Sequence, residues 1–342
     1  MDSGTKYKVA AKCYTYNQAQ YITDTLNGFV MQETDFPFVC CIIDDASSDG
    51  EQEVIRKYVA ENFDLSEQDI AYEKETDDAY ITYARHKSNK NCFFAVLYLK
   101  RNLYRERRRK LGLISEWMDN AEYIALCEGD DYWIDANKLK LQVAFLDQHP
   151  DYGMCHTDFD LVDGKRNHFV KIHEDGVYWP FYITEGINVG TLTVVYRMSI
   201  YKKLPLFFID QKWPMSDVPL WIEISKFSKI QYLPIVTSKY RVLNNSASHG
   251  SFEELVKFLN CGIDVLEYYA DKFGVTIKRR YETKSYHERI MRYACRFSDS
   301  KEADAELLNA MKCRCLSMKL VFFYLGAKYK MIRRILEVKS TI

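Results

Sequence analysis

Between residues 7 and 133 of this 342-residue chain, short uninterrupted apolar runs alternate with stretches in which apolar residues recur every three or four positions. Residues 7–14 read as a strand, residues 15–18 as a turn, and Ile22, Leu26, Phe29 and Val30 repeat at helical spacing. Residues 38–43 form a continuous β-rich apolar run, the signature of a strand buried on both faces in a parallel sheet. The run ends in Asp44 and Asp45. Ser48 and Glu51 then have the spacing of a capping box for a helix that turns Val54, Ile55, Tyr58 and Val59 inward. A third strand, residues 123–127, delivers Glu128, Asp130 and Asp131 at its carboxyl end. Strand, polar tip and helix in repetition predict an α/β fold, a mostly parallel, Rossmann-related sheet flanked by helices, with ligands beyond the carboxyl ends of the strands. The three tips are therefore expected to converge on one crevice.

The pattern changes elsewhere. Residues 64–101 are far longer than an ordinary connection and read as an insertion, a lid or an acceptor-side excursion. Residues 105–110 are a basic run at a helix start, either a solvated face or a phosphate site. Residues 152–158 and 191–196 read as strands with a loop at 186–190, near which Trp179, Phe181 and Tyr182 are candidates to stack on sugar rings. Core packing is the commoner use of such aromatics. From residue 251 the strand and turn signals give way to helices, so the expected division is a catalytic domain at 1–250 and a helical region at 251–342. Residues 312–339 form a basic amphipathic helix that suits a bilayer surface, a partner or the catalytic domain.

The chemistry lies in the acids. Three carboxylates as close as Glu128, Asp130 and Asp131 raise one another's pKa values unless a cation or a set of donors neutralises them. Hard oxygen ligands suit Mg²⁺ or Mn²⁺, and Mg²⁺ usually carries substrate phosphates with it. Gly129 leaves room for a ligand or another backbone to approach. Helix capping does not need two carboxylates at the tip of a buried strand, so one of Asp44 and Asp45 braces the turn while the other faces a ligand.

Three segments in this order, residues 14–17 with Ile22 and Gln32, residues 43–50, and residues 123–133 followed by Lys138 and Leu139, resemble the family 2 glycosyltransferases of GT-A fold, closest to bacterial members that build surface polysaccharides. The likeness covers roughly residues 5–250. It implies that Tyr14, Tyr16 and Asn17 frame a nucleotide base and that Asp45, beside Asp44, bonds it. Glu128, Asp130 and Asp131 match the segment that touches the ribose and holds a divalent cation, Mg²⁺ or Mn²⁺, against the diphosphate. Glu128 stands where the family has Asp, and Asp130 and Asp131 are favoured for the metal. The resemblance further implies an inverting transfer from a nucleoside-diphosphate sugar, most often a UDP-sugar in this family, to a glycan or lipid-linked glycan. Asp217, preceded by Ser216 where the family has a second acid, matches its general base; as a helix N-cap before Pro219 the same residue has a purely local use. Arg109, Arg241 and His249 are the candidate cations for the leaving diphosphate, with His249 also a candidate metal ligand. Arg241 sits in a segment like the family's closing strand and loop, but Leu243 replaces the usual histidine.

Composition narrows the setting. A formal net charge of −1 gives no global bias toward nucleic acid. The ten cysteines show no zinc-finger spacing and fit buried thiols in a reducing cytoplasm. Neither a secretory signal nor an apolar run of membrane-spanning length is legible, so a cytoplasmic enzyme, peripheral at most to the inner face of the membrane, is expected. Two other classes remain open: a sugar nucleotidyltransferase, although residues 14–18 lack its glycine-rich loop, and an inactive nucleotide-binding scaffold, which would tolerate loss of Asp217.

Overall fold

The computed structural model describes residues 6–67, 70–162, 183–184, 189–205, 213, 215–243 and 250–339, in two compact units. The first unit comprises Met1–Tyr182, Ile187–Phe207 and Leu220–Arg241; the second comprises Ile183–Gly186, Phe208–Pro219 and Val242–Ile342.

The first unit is built on one sheet. Its strands are β1 (Tyr7–Thr15), β2 (Phe38–Asp44), β3 (Phe63–Asp64), β4 (Tyr72–Glu75), β5 (Ala79–His86), β6 (Cys92–Leu99), β7 (Ala121–Leu126), β8 (Tyr132–Trp133), β9 (Tyr152–Leu161), β10 (Val195–Arg197) and β11 (Lys229–Tyr240). They run in the order β3-β5-β6-β2-β1-β7-β10-β9-β11-β8, with β4 paired to β5. All seven residues of β2 are buried, as its unbroken apolar sequence requires of a central strand. The four central strands, β6-β2-β1-β7, are mutually parallel. On one flank β5 is antiparallel to β6, and on the other β10 is antiparallel to both β7 and β9. The sheet thus has a parallel centre with antiparallel strands on its flanks.

The stretch at 64–101 is not an insertion laid over the fold. Cys92–Leu99 is the strand next to β2, in parallel register from Phe38 opposite Cys92 to Asp44 opposite Tyr98. The hairpin β4–β5 continues the sheet beside it. The run at 92–99 is apolar like β2, and all of it but Phe93 is buried. The strand expected at 191–196 is shorter, with a helical turn at Thr191–Thr193 before β10.

Helices α1 (Ile22–Val30), α2 (Glu51–Asn62) and α3 (Lys138–Gln148) follow β1, β2 and β8. Leu26 and Phe29 of α1 enter a core with Cys40, Ile42, Phe94, Trp133 and Leu139. The Phe29 and Trp133 rings meet edge to face at 4.9 Å, and the Trp133 indole N–H donates to the Leu192 carbonyl at 2.9 Å. Lys138 is fully buried against the same indole, and burial lowers its ammonium pKa to about 7. Helix α4 (Asp217–Phe227) has its first three residues in the second unit.

The second unit is helical: α5 (Phe252–Phe273), α6 (Lys284–Phe297), α7 (Ser300–Lys312), α8 (Met318–Lys328) and α9 (Lys330–Lys339). Ser251 and Glu254 form a capping box on α5, and Gly274 ends that helix at φ 67°. Inside the unit, buried His287 of α6 and Glu306 of α7 are bonded at 2.6 Å. None of the described helices is long and apolar enough to cross a membrane. All ten cysteines are unpaired, and nine are buried.

The approach of α1 to β8 sets a test of this packing. A Cβ on Gly28 would lie 2.8 Å from the Trp133 carbonyl oxygen and 2.9 Å from its nitrogen, both backbone atoms. Gly28→Ala is expected to destabilise the chain by about 1–3 kcal/mol in urea unfolding. An unchanged midpoint would mean that the helix does not lie this close to the strand.

Candidate functional site

The carboxyl ends of β2, β1 and β7 lie side by side because these strands are neighbours, and backbone bonds carry the pairing past the ends of the ladders. The Asp45 N–H donates to the Thr15 carbonyl at 3.0 Å, and the Gly129 N–H donates to the Tyr14 carbonyl at 3.0 Å. The tips expected to converge are therefore joined atom to atom. Gly129 serves a protein contact: a Cβ there would sit 2.1 Å from the Thr15 hydroxyl oxygen. The hydroxyl of Thr25 on α1 donates to the Asp131 carbonyl at 2.6 Å, with the Gly129 carbonyl at 2.9 Å, fixing the 128–131 turn from below.

At the β2 tip both aspartates are buried. Asp45 accepts from the Leu103 N–H at 2.7 Å and the Tyr104 N–H at 3.2 Å, and it pairs with the Lys110 ammonium at 2.9 Å. Asp44 accepts from the Ser47 N–H at 3.0 Å and the Gln52 amide at 2.6 Å through Oδ1, while its buried Oδ2 has no partner among the described residues. Both therefore brace loops, and the orphaned oxygen belongs to Asp44.

Glu51 is the residue that sequence reasoning placed differently. Helix α2 has Gly50 at its N-cap, at φ 91°, with no capping box. The Glu51 carboxylate is instead buried between the two tips, accepting from the Thr15 hydroxyl, the Gln18 N–H at 2.9 Å and the Ser47 hydroxyl at 2.8 Å. Burial drives its pKa up to about 7 against the lowering effect of those donors. Asn17, at φ 56°, locks the same region: its N–H donates to Ser47 Oγ at 2.9 Å and its Oδ1 accepts from the Ser48 N–H at 2.8 Å.

The β7 tip concentrates charge. Burial raises the pKa of Glu128, with Asp130 adding to the rise while Lys12 and Lys110 oppose it. Asp130 is raised by burial and Asp131 well above its usual range by burial and by Asp130. Arg241 relieves part of this. Its N–H donates to Asp131 Oδ1 at 2.9 Å, its guanidinium to the Asp130 carbonyl at 2.6 Å and to the Asp24 carboxylate, and it lies 4.5 Å from the Tyr132 ring centre and 4.9 Å from that of Tyr21. Arg241 is a brace for the acidic turn, an arrangement that needs the fork geometry of arginine.

Tyr14 stands between the tips. The Lys12 and Lys110 ammoniums lie 4.6 Å and 4.8 Å from its ring centre. The nearby Glu128 and Asp45 carboxylates reinforce the burial that pushes its hydroxyl pKa upward. Tyr16 is half-buried, 5.9 Å from the Arg105 guanidinium carbon. Lys12, Lys110, Thr15, Thr25 and Asp24 were not singled out as site residues by the sequence reading, and Glu51 was read only as part of a cap. Lys110 belongs to the basic run at 105–110, and its neighbour Arg109 is exposed. Among the described residues no three His, Cys, Asp or Glu side chains meet in an arrangement that holds a metal. Asp217 opens α4 and belongs to the second unit, its own carboxylate accepting from the Val218 N–H at 2.9 Å. His249, Trp179, Phe181 and Tyr182 lie outside the described residues.

A sequence model of glycosyl transferase family 2 matches residues 14–206. Uncharacterized proteins of Mycobacterium bovis and Mycobacterium tuberculosis are 28% identical to the chain over 261 residues, covering 71% of it and 61% of their own length. The chain thus spans about three fifths of these curated relatives. Among solved structures, S. aureus TarS 1-349 in complex with UDP-GlcNAc is similar with a TM-score of 0.47 at 14% identity, covering 94% of this chain and 79% of that one. The mannosyltransferase PcManGT from Pyrobaculum calidifontis in complex with GDP-Man and Mn²⁺ gives a TM-score of 0.48 at 13% identity, covering 98% and 88%.

The buried acids make stability depend on pH. A carboxyl whose folded pKa lies above its unfolded value binds its proton more tightly when folded, so its contribution is complete below the unfolded pKa and is lost as pH rises through the folded one. For Glu51 that window runs from about 4.5 to about 7. Glu51→Gln keeps an acceptor for Gln18 and Ser47 and is expected to flatten the fall in melting temperature over this range. At pH 8 it should raise the melting temperature by roughly 2–4 °C for each kcal/mol relieved. A variant that follows the parent curve in parallel would place the Glu51 carboxylate in solvent.

Proposed function

Because the chain belongs to glycosyl transferase family 2, we propose that it moves a sugar from a nucleoside diphosphate, a UDP-sugar as the family's commonest donor, to a hydroxyl of a glycan or lipid-linked glycan, with inversion at the anomeric carbon. The observation that supports this reading is the stitching of the β1, β2 and β7 tips, which brings Tyr14, Asp44, Asp45 and the 128–131 acids to neighbouring strand ends.

In this reading Tyr14 and Tyr16 form the aromatic wall for the base, and Asn17 holds the turn beside them. Asp45 acts through the groups it organises, the backbone at 103–104 and Lys110, because its oxygens already accept three donors. The acids of the β7 tip suit a divalent cation. They are hard oxygen donors whose pKa values are raised chiefly by burial, which a bound cation would offset. In such sites Mg²⁺ is usually held by one or two carboxylates and by the donor's own phosphates. Asp130 and Asp131 are the proposed holders, with Glu128 supporting them. When bound, such a cation supplies Lewis-acid stabilisation of the departing diphosphate. Arg241 keeps the turn in place, and Lys12 and Lys110 add positive charge beside Glu128.

Asp217 is the proposed general base. Its carboxylate takes the proton of the acceptor hydroxyl as that oxygen bonds to the sugar C1, while the C1–oxygen bond to the diphosphate breaks and the leaving group keeps the electron pair. A positioned base of this kind contributes about 10²–10⁴-fold.

A panel of nucleoside-diphosphate sugars with Mn²⁺, read by release of the diphosphate, tests the assignment. One donor is expected to turn over. Asp217→Asn should lower kcat by about 10²–10⁴-fold with nucleotide affinity retained, whereas Asp131→Asn should lose affinity and turnover together. Full turnover by Asp217→Asn would remove that residue from the chemistry.

A further inference from the structure

The surface of the second unit carries a feature that donor chemistry does not use. Helix α8 buries Leu320, Gly326 and Ala327, and a Cβ at Gly326 would lie 2.6 Å from Cys295 Sγ on α6 and 2.8 Å from Leu336 Cδ1 on α9. That close packing fixes which face of α8 points inward and leaves Met318, Val321 and Phe322 outward. Met318 is 77% exposed and Phe322, one turn on, is 52% exposed. Exposed large apolar side chains recur on the neighbouring helices three or four residues apart: Leu308 and Met311 on α7, and Met331, at 74%, and Ile335 on α9. Single exposed apolar residues are ordinary, but exposed apolar pairs repeated on three successive helices are what an interaction surface would present.

From residue 312 onward the charges are mostly of one sign, whereas α7 also carries Glu302 and Asp304. Residues 312–339 contain eight Lys or Arg and one Glu, in a chain whose formal net charge is −1. Lys328 is engaged by Asp304 and Lys319 by Glu288. Lys312, Arg314, Lys330 and Arg334 stand exposed beside the apolar pairs. A protein partner's core would pair apolar groups with depleted charge. A nucleic acid would use the cations and leave methionines and phenylalanine in water. Basic residues interleaved with Met, Phe and Ile fit the boundary between headgroups and acyl chains, where cations meet anionic phosphate and apolar side chains enter the bilayer edge.

We propose that the α7–α9 face of the second unit docks on an anionic phospholipid bilayer, with Met318, Phe322 and Met331 entering the interface and Lys312, Arg314, Lys330 and Arg334 holding the headgroups. The surface is composite, built from three short helices, and is independent of whether the first unit transfers a sugar.

Co-sedimentation of the full chain with vesicles tests it, using phosphatidylcholine alone and phosphatidylcholine with phosphatidylglycerol at near-physiological salt. Binding to the mixed vesicles is expected, with little to phosphatidylcholine alone. Lys330→Glu combined with Arg334→Glu should weaken binding by more than about 25-fold, at about fivefold for each cation near the surface. Met318→Ser combined with Phe322→Ser should also weaken it by at least tenfold, with an unchanged circular dichroism melt. Equal binding to both vesicles, or no binding, overturns the proposal. So does binding that responds to the charge variants alone, which would mark a polyanion site, or self-association through the face without vesicle binding.

Discussion

The first unit is organised around a repulsion that it contains without abolishing. Asp44, Asp45 and Glu51 at one strand tip and Glu128, Asp130 and Asp131 at another lie within a region bounded by three adjacent strands, most of them out of water. Left alone, such carboxylates would push one another apart or take up protons. The chain opposes this with fixed donors: the Leu103 and Tyr104 amides and Lys110 on Asp45, three groups on Glu51, and Arg241 across the Asp130–Asp131 turn. Burial, helped by their mutual repulsion, still leaves Glu128, Asp130 and Asp131 shifted upward. Glu51 carries a similar upward shift between the β1 and β2 tips, but the β7 tip holds three such acids, and it is there that the proposed reaction brings a cation and its diphosphate.

The same constraint explains the small residues. Gly129 lets the acidic turn rest on Thr15, and Thr25 reaches up from α1 to hold the turn's carbonyls. Gly28 lets α1 press on the backbone of Trp133, immediately after the turn. The positions of the acids are thus set by the core beneath them rather than by flexible loops. A site preorganised in this way meets charge developing on a leaving group without having to rearrange.

Much of this was legible from sequence because apolar runs of strand length report burial directly. β1, β2 and β7 fall within a residue or two of the runs that predicted them. The flanks were not legible. Cys92–Leu99 has the same character as β2, but periodicity cannot say that it pairs with β2, so the long connection was read as an excursion. Spacing suggested a capping box at Ser48 and Glu51, yet Glu51 reaches across to Thr15 and Gln18, a tertiary contact that outweighs the local one. Lys110 was hidden in a basic run where Arg109 looked the better cation, and only the burial of Asp45 distinguishes it. Arg241 was expected as a cation for the donor, but spacing gives no sign that its fork also reaches the Asp130 carbonyl and the Asp24 carboxylate on α1.

The central claim is that these acids form one site completed by a divalent cation together with a nucleoside diphosphate. The direct measurement is a melting scan with UDP, GDP and ADP, each with and without Mn²⁺. A ligand that binds only the folded state at 100 times its Kd adds about 2.7 kcal/mol. The account predicts that one diphosphate raises the melting temperature only when Mn²⁺ is present, and that Asp131→Asn erases the shift. Stabilisation of equal size without metal, or none with any nucleotide at high concentration, would contradict it.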